Sequence, residues 1–310
     1  AAAAAAAATT LQYSVLRTLP HDPEAFTQGL FWDAASPDIL FESTGLYGES
    51  TVRRVELATG KVKLKKDAPS NVFGEGLALD RATNSLLMLT WKSDKVYVYD
   101  QANLTLLRSF PRPAPTDRKE GWGLTQDTNG FFWFTDGSPL LYKLSLNGNG
   151  FTILDKVLVQ EEGRNISNLN ECEWIQGYVW ANRWYTNTIY IIEPSNGTVV
   201  AKLDMSALEN TANKAPTRPN ERGGAVLNGI AFNSVNSTVI VGGKLWDRFF
   251  EISVPSFPRK VTVSPSTQAP SSSRTTSPTS SEALSGAAGP SYSGLLCSLL
   301  LSCVCAGGIH

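Results

Sequence analysis

The stretch "FGEGLALD", residues 73–80, places Glu75 between two glycines in a run that otherwise reads as a strand. Glycine weakens a strand interior and marks a bulge or a close backbone approach, and a carboxylate there needs either water or a partner. The same pattern recurs in "FTQGLFW" (26–32), "EGWGLTQ" (120–126), "LNECEWI" (169–175) and "VLNGIAF" (226–232). Aligned, these runs put Gly29, Gly76, Gly123, Cys172 and Gly229 at one position, at intervals of 47, 47, 49 and 57 residues. A period of about fifty residues with several short strands in each unit is the signature of a β-propeller.

The units repeat beyond their first strand. A second strand follows in "DILFEST", "SLLMLTW", "FFWFTDG", "YVWANRW" and "TVIVGGK", and a third in "TVRRVEL", "KVYVYD", "LLYKLS", "TIYIIE" and "RFFEIS". These runs are β-branched, aromatic and often alternating. Four units show a fourth strand, "KVKLKK", "LTLLRSF", "FTILDKV" and "TVVAKL". The fifth has none, and the surplus strand "LQYSVLRTL" lies at 11–19. The expected fold is therefore an all-β, five-bladed propeller over residues 11–254, its last blade completed by the N-terminal strand so that no sheet edge stays open between first and last blades.

The flanks read differently. Residues 1–10 are low in complexity, and 255–285 are rich in Ser, Thr and Pro, a composition that suits a stalk rather than a core. Residues 286–310 carry small residues, a short polar spacer and an apolar end, the pattern of a removable glycolipid (GPI) anchor signal. Cys297, Cys303 and Cys305 lie there, so the propeller keeps only Cys172, read as a small buried residue. Sequons at Asn103, Asn165, Asn196 and Asn236 each fall in an expected turn or loop. Together these features predict a glycosylated chain of the secretory pathway, extracellular or at the cell surface, touching the membrane only through a lipid anchor. The net charge of −1 gives no reason to expect a nucleic-acid partner.

In a propeller the repeated first-strand positions and the ends of second strands converge on one mouth. Phe26, Gln28, Phe73, Glu75, Glu120, Trp122, Asn170 and Asn228 form one tier, and Trp91, Asp136, Trp184 and Lys244 another. This is an aromatic lining with a few polar groups, as in small-ligand pockets. The chain has two histidines, His21 and His310, too few for a multi-histidine zinc site. His21 reads as a structural loop residue hydrogen-bonded to backbone. Acid–base chemistry would then fall to a carboxylate. Glu75 is the candidate: its glycines would let a substrate approach closely, and the surrounding aromatics would desolvate it and raise its pKa.

The runs "HDPEAFTQGL", "ESTGLYGESTVRRVELATGKV", "FGEGLAL", "LTWKSDKVYVYD", "GWGLTQD", "NECEWI", "VWANRW" and "LNGIAFN" together resemble the plant-type glutaminyl cyclases, over about residues 12–254. The resemblance implies a five-bladed propeller that converts N-terminal glutamine of peptides and proteins to pyroglutamate, releasing ammonia, without a catalytic metal. It implies Glu75 as the acid–base group and Asn170 and Lys244 as the groups that bind and polarise the amide oxygen. Phe26, Gln28, Phe73, Trp91, Trp122 and Trp184 would form the substrate-binding wall. It also implies a structural Ca²⁺ in the central channel. Cys172 stands where the family commonly has an apolar residue, and Glu171 and Glu173 are additional carboxylates; strand alternation would point Glu173 away from the side taken by the counterpart of Glu75. Two other functions fit a propeller: a calcium-dependent lactonase or hydrolase, disfavoured by the aromatic mouth, and a non-catalytic peptide- or glycan-binding surface protein.

Overall fold

The computed structural model describes residues 7–216 and 224–257. The expected anchor signal, the three tail cysteines, His310 and all but the first three residues of the expected stalk lie outside them.

Five blades, each built on four antiparallel strands, follow one another along the chain. Blade one comprises Thr27–Trp32, Ile39–Thr44, Thr51–Glu56 and Val62–Asp67, and blade two Gly74–Asp80, Ser85–Thr90, Lys95–Asp100 and Leu106–Pro111. Blade three comprises Leu124–Gln126, Phe132–Thr135, Leu140–Asn147 and Gly150–Leu158. Blade four comprises Leu169–Ile175, Tyr178–Arg183, Thr188–Ile192 and Val199–Asp204. Blade five has Leu227–Asn233, Thr238–Gly243 and Arg248–Ser253, and its outermost strand is Ser14–Pro20 from the N-terminus, antiparallel to Arg248–Ser253. The expected closure is thus present. Three short strands and a helix lie outside the expected pattern: Thr9–Thr10, inside the run read as low-complexity, adds in parallel to the outer edge of blade four, Gln160–Glu161 and Arg164–Asn165 form a two-stranded hairpin that puts Asn165 in a strand rather than the expected turn or loop, and Ser206–Thr211 is helical.

Each innermost strand packs on the next, and the fifth on the first, closing the ring. Burial falls outward. The first two strands of blade two are buried throughout, whereas Ser14–Pro20 buries only Leu19. The apolar core is divided into layers between neighbouring blades: Phe41, Val52 and Leu77 with Met88 join blades one and two, and Leu30, Trp32, Ile240 and Phe249 join five and one, with Leu19 among them. Such layers give each blade two apolar faces and explain the near-continuous hydrophobic runs of the inner strands.

Four inner strands break register where the polar residues sit, between Thr27 and Gly29, Gly74 and Leu77, Leu169 and Cys172, and Leu227 and Ile230. A bulge leaves residues out of the ladder and re-aims their side chains, which is how Gln28, Glu75, Asn170 and Asn228 come to occupy inner strands without disrupting a core. The glycines beside Glu75 serve a different purpose from the one expected. A Cβ on Gly76 would lie 2.7 Å from Trp122 O and 2.8 Å from Leu124 N, and one on Gly74 would lie 2.6 Å from Thr44 O. They admit the backbones of blades three and one rather than a substrate. Gly76 N–H also donates to Trp122 O at 2.8 Å.

Candidate active site

Three of the bulged residues, Gln28, Glu75 and Asn170, open into one cavity of about 440 Å³ at the mouth of the ring, a size suited to a small ligand, while Asn228 is buried beside Gln28. Gln28, Phe73, Glu75, Trp91, Trp122, Asn170, Trp184, Tyr185 and Lys244 line it. Each blade contributes. Blade one supplies Gln28, and blade two supplies Glu75, with Phe73 before its first strand and Trp91 after its second. Trp122 precedes the first strand of blade three, Asn170 and Trp184 come from blade four, and Lys244 follows the second strand of blade five.

The polar floor is buried and pre-ordered. Asn228 donates from Nδ2 to Thr27 O (3.0 Å) and to Gln28 Oε1 (3.1 Å), and Gln28 Nε2 donates to Glu75 Oε1 at 3.3 Å. Gln28 is thus fixed from behind and passes that order to Glu75. The second carboxylate oxygen of Glu75 and Asn170 Oδ1 have no protein hydrogen-bond partner. Asn170 is held through its backbone, whose carbonyl accepts from Thr135 Oγ1 at 2.8 Å. Lys244 is set by a turn: its N–H donates to Val226 O at 2.9 Å, and Gly243 leaves room for the Trp246 ring to fold back beneath it.

Burial raises the Glu75 carboxyl well above the usual carboxylate range; Lys244 works against that rise and Glu120 adds to it. Burial pulls Lys244 down to about 8, with Glu75 opposing. The two groups line the same cavity, and burial shifts their proton affinities toward each other.

The walls are flat rings. Trp122 meets Trp184 edge-on at 5.3 Å and is tied to Glu120 by its Nε1–H at 2.9 Å. Phe73 meets Trp91 at 5.6 Å, and Lys92 lies over Trp91 at 3.9 Å while pairing with Glu120 at 3.7 Å. Phe26 is not in the wall. It is 1 % exposed and lies behind the cavity, with Lys244 Nζ 4.9 Å from its ring centre. Its contacts with the site are the lysine and the edge of Phe73, at 6.0 Å between ring centres. Tyr185, by contrast, lines the cavity and was not anticipated, because it follows Trp184 outside the repeated strand pattern that located the others.

His21 is buried, as a structural residue should be. Nδ1 lies 2.7 Å from Trp246 O and Nε2 3.0 Å from Glu42 Oε1, so a carboxylate joins the backbone contact expected. Asp136 accepts from Ser138 and from the Arg118 backbone N–H at 2.9 Å, and thus organises the loop beside the mouth.

Glu171 and Glu173 both turn inward. Glu171 Oε1 accepts from Leu30 N–H at 3.5 Å; Glu173 accepts from Thr125 Oγ1 at 2.9 Å and Phe232 N–H at 3.3 Å. The expectation that Glu173 faces away is therefore wrong: the register break lies before Cys172, and from there alternation keeps residues 171 and 173 on the channel side. Burial raises both, Glu173 to about 7. Glu171 Oε2 has no partner and is a donor that a channel Ca²⁺ would use. No group of three or more His, Cys, Asp or Glu side chains among the described residues is placed to bind a metal, so backbone carbonyls and water would have to complete that shell.

Comparison with known proteins agrees with this geometry. The chain is 38% identical over 241 residues to a glutaminyl-peptide cyclotransferase of Arabidopsis thaliana, covering 78% of this chain and 71% of that protein. The crystal structure of Myxococcus xanthus glutaminyl cyclase superposes with a TM-score of 0.68 at 31% identity, covering 79% of this chain and 97% of the bacterial one. The glutamine cyclotransferase family model matches residues 1–254, and with a propeller mouth built as described, the chain belongs to that family.

Proposed function

We propose that this protein cyclises N-terminal glutamine of peptides and proteins to pyroglutamate and releases ammonia. The observation that carries the reading is the pairing of a desolvated Glu75 with Lys244 and Asn170 on the floor of an aromatic cavity. The α-amine nitrogen attacks the side-chain amide carbon, and the carbonyl electrons move onto oxygen. Lys244 and the Asn170 amide stabilise that oxyanion. Glu75 takes the proton from the attacking nitrogen and delivers it to the departing NH₂ group. The C–N bond then breaks, ammonia leaves, the lactam closes and Glu75 returns to its starting state. The rings of Phe73, Trp91, Trp122 and Trp184 exclude water and press the side chain back over its own amine, the conformer that the ring closure requires.

A Ca²⁺ on the channel axis would neutralise Glu171 and brace the blades, with no part in these proton transfers. The four sequon asparagines are all exposed, and Asn103 and Asn196 each accept the N–H of the threonine two residues on, a geometry suited to turns. They support a glycosylated chain of the secretory pathway; the anchor reading rests on sequence beyond the described residues.

The test is ammonia release from a short glutamine-initiated peptide by wild type and by Glu75→Gln, with and without chelator. Activity in the wild type, little in the variant and no chelator effect are expected. Abolition by chelator would put a metal in the mechanism, and no release by folded protein would favour a binding role.

A further inference from the structure

Tyr185 is the lining residue that the cyclisation chemistry leaves without a task. It lies at the rim: 62% of its surface is exposed, whereas Gln28, Glu75, Asn170 and Lys244 are each buried. It occupies the third position of a tight turn closed by Thr186 N–H to Arg183 O at 3.1 Å, with φ of 64°. A turn position with positive φ favours glycine or asparagine, and a bulky side chain there costs backbone energy. Core packing cannot repay that cost, because most of the ring is in water. What holds the ring is Trp184, against which it stacks with centroids 4.0 Å apart and planes 24° apart. Tyr185 therefore extends the aromatic wall of the cavity outward as a rigid, flat shelf.

A substrate whose glutamine reaches Glu75 must leave through this mouth. Tyr185 is the exposed residue of the lining, so the chain that follows the glutamine passes it on the way out. We infer that Tyr185 is a specificity-determining residue that binds the side chain of the second substrate residue and favours an aromatic or long apolar one. The inference rests on the cyclotransferase reading above. The other exposed tyrosine nearby, Tyr47, meets the edge of Phe73 at 5.6 Å but does not line the cavity, which makes it a control.

The experiment compares Gln-Phe and Gln-Gly peptides on wild type, Tyr185→Gly and Tyr47→Ala, with melting temperatures alongside. One ring stacked on another is worth about two- to thirteenfold in affinity, so wild type should prefer Gln-Phe in kcat/KM by a factor in that range. Tyr185→Gly should bring the ratio close to one by raising KM for Gln-Phe, and melt no lower than wild type because the turn is relieved. Tyr47→Ala should keep the preference. Equal ratios in wild type and Tyr185→Gly, or equal loss in both variants, overturn this inference alone. No cyclisation of either peptide by folded wild type overturns it together with the cyclotransferase reading.

Discussion

Replacing Glu75 by glutamine keeps the size of the side chain and an acceptor for Gln28 but removes the proton carrier. Positioned acid–base groups contribute roughly 10²–10⁴-fold, so kcat should fall by about that factor. A second effect follows from the neighbour. Lys244 sits at about 8, and Glu75 is the group holding it up against burial. Without that carboxylate the lysine must titrate lower still. In wild type, kcat/KM should rise as the peptide amine, with a pKa of about 7.7–8.0, becomes neutral and as the raised Glu75 carboxyl ionises, and fall as Lys244 loses its proton. The profile is then a narrow bell. In Glu75→Gln the contribution of Glu75 to the rising limb goes and that of the free peptide stays, while the falling limb moves to lower pH. Ammonia release followed from pH 6 to about 10 would show both limbs. Wild-type kcat in the variant, or an unmoved alkaline limb, would refute the coupling of these two residues.

Asn228→Ala should free Gln28 and take a donor from Thr27 O; loss of one such hydrogen bond corresponds to about fivefold in kcat/KM, measured on the glutamine peptide. Glu173→Gln should change the pH dependence of stability. The native carboxyl lies at about 7 against an ordinary 4.5, so wild-type stability from this group is fullest below pH 4.5 and falls by ~3 kcal/mol as pH rises to 7, at 1.36 kcal/mol per unit. The difference between variant and wild type in urea melts should grow across that window in favour of the variant. Leu19→Ala should cost ~2–5 kcal/mol, because this is the one buried side chain of the closing strand and it packs between blades five and one.

The architecture was legible because its evidence is periodic. Five aligned glycine-position runs, each followed by two more strands, fix blade number and order, and the missing fourth strand of blade five points to residues 11–19. The floor and walls of the site were legible for the same reason, since Glu75, Asn170, Trp122 and Lys244 sit at or beside repeated positions. What escaped depends on packing between blades. Gly74 and Gly76 answer to neighbouring backbones that no local pattern names. Phe26 shares the period of the wall residues, yet it packs behind Lys244. The inward turn of Glu173 depends on where the bulge in blade four begins. Thr9–Thr10 pairs at an edge that only the folded sheet creates, and Tyr185 lies in a turn outside the repeat.

Blade five joins strands from opposite ends of the chain, with Arg17 on Glu251 across 234 residues. During synthesis at about 5–20 residues per second, the first strand therefore waits roughly 12–47 s for its partner to emerge. Until then blades one to four form an incomplete arc with edges that can recruit another chain. The covalent order of the strands thus makes the ring the final event of folding, and the shallowly buried strand carrying Leu19 acts as its latch. Any change that slows this last docking should lower the yield of native protein even where it leaves the cavity untouched.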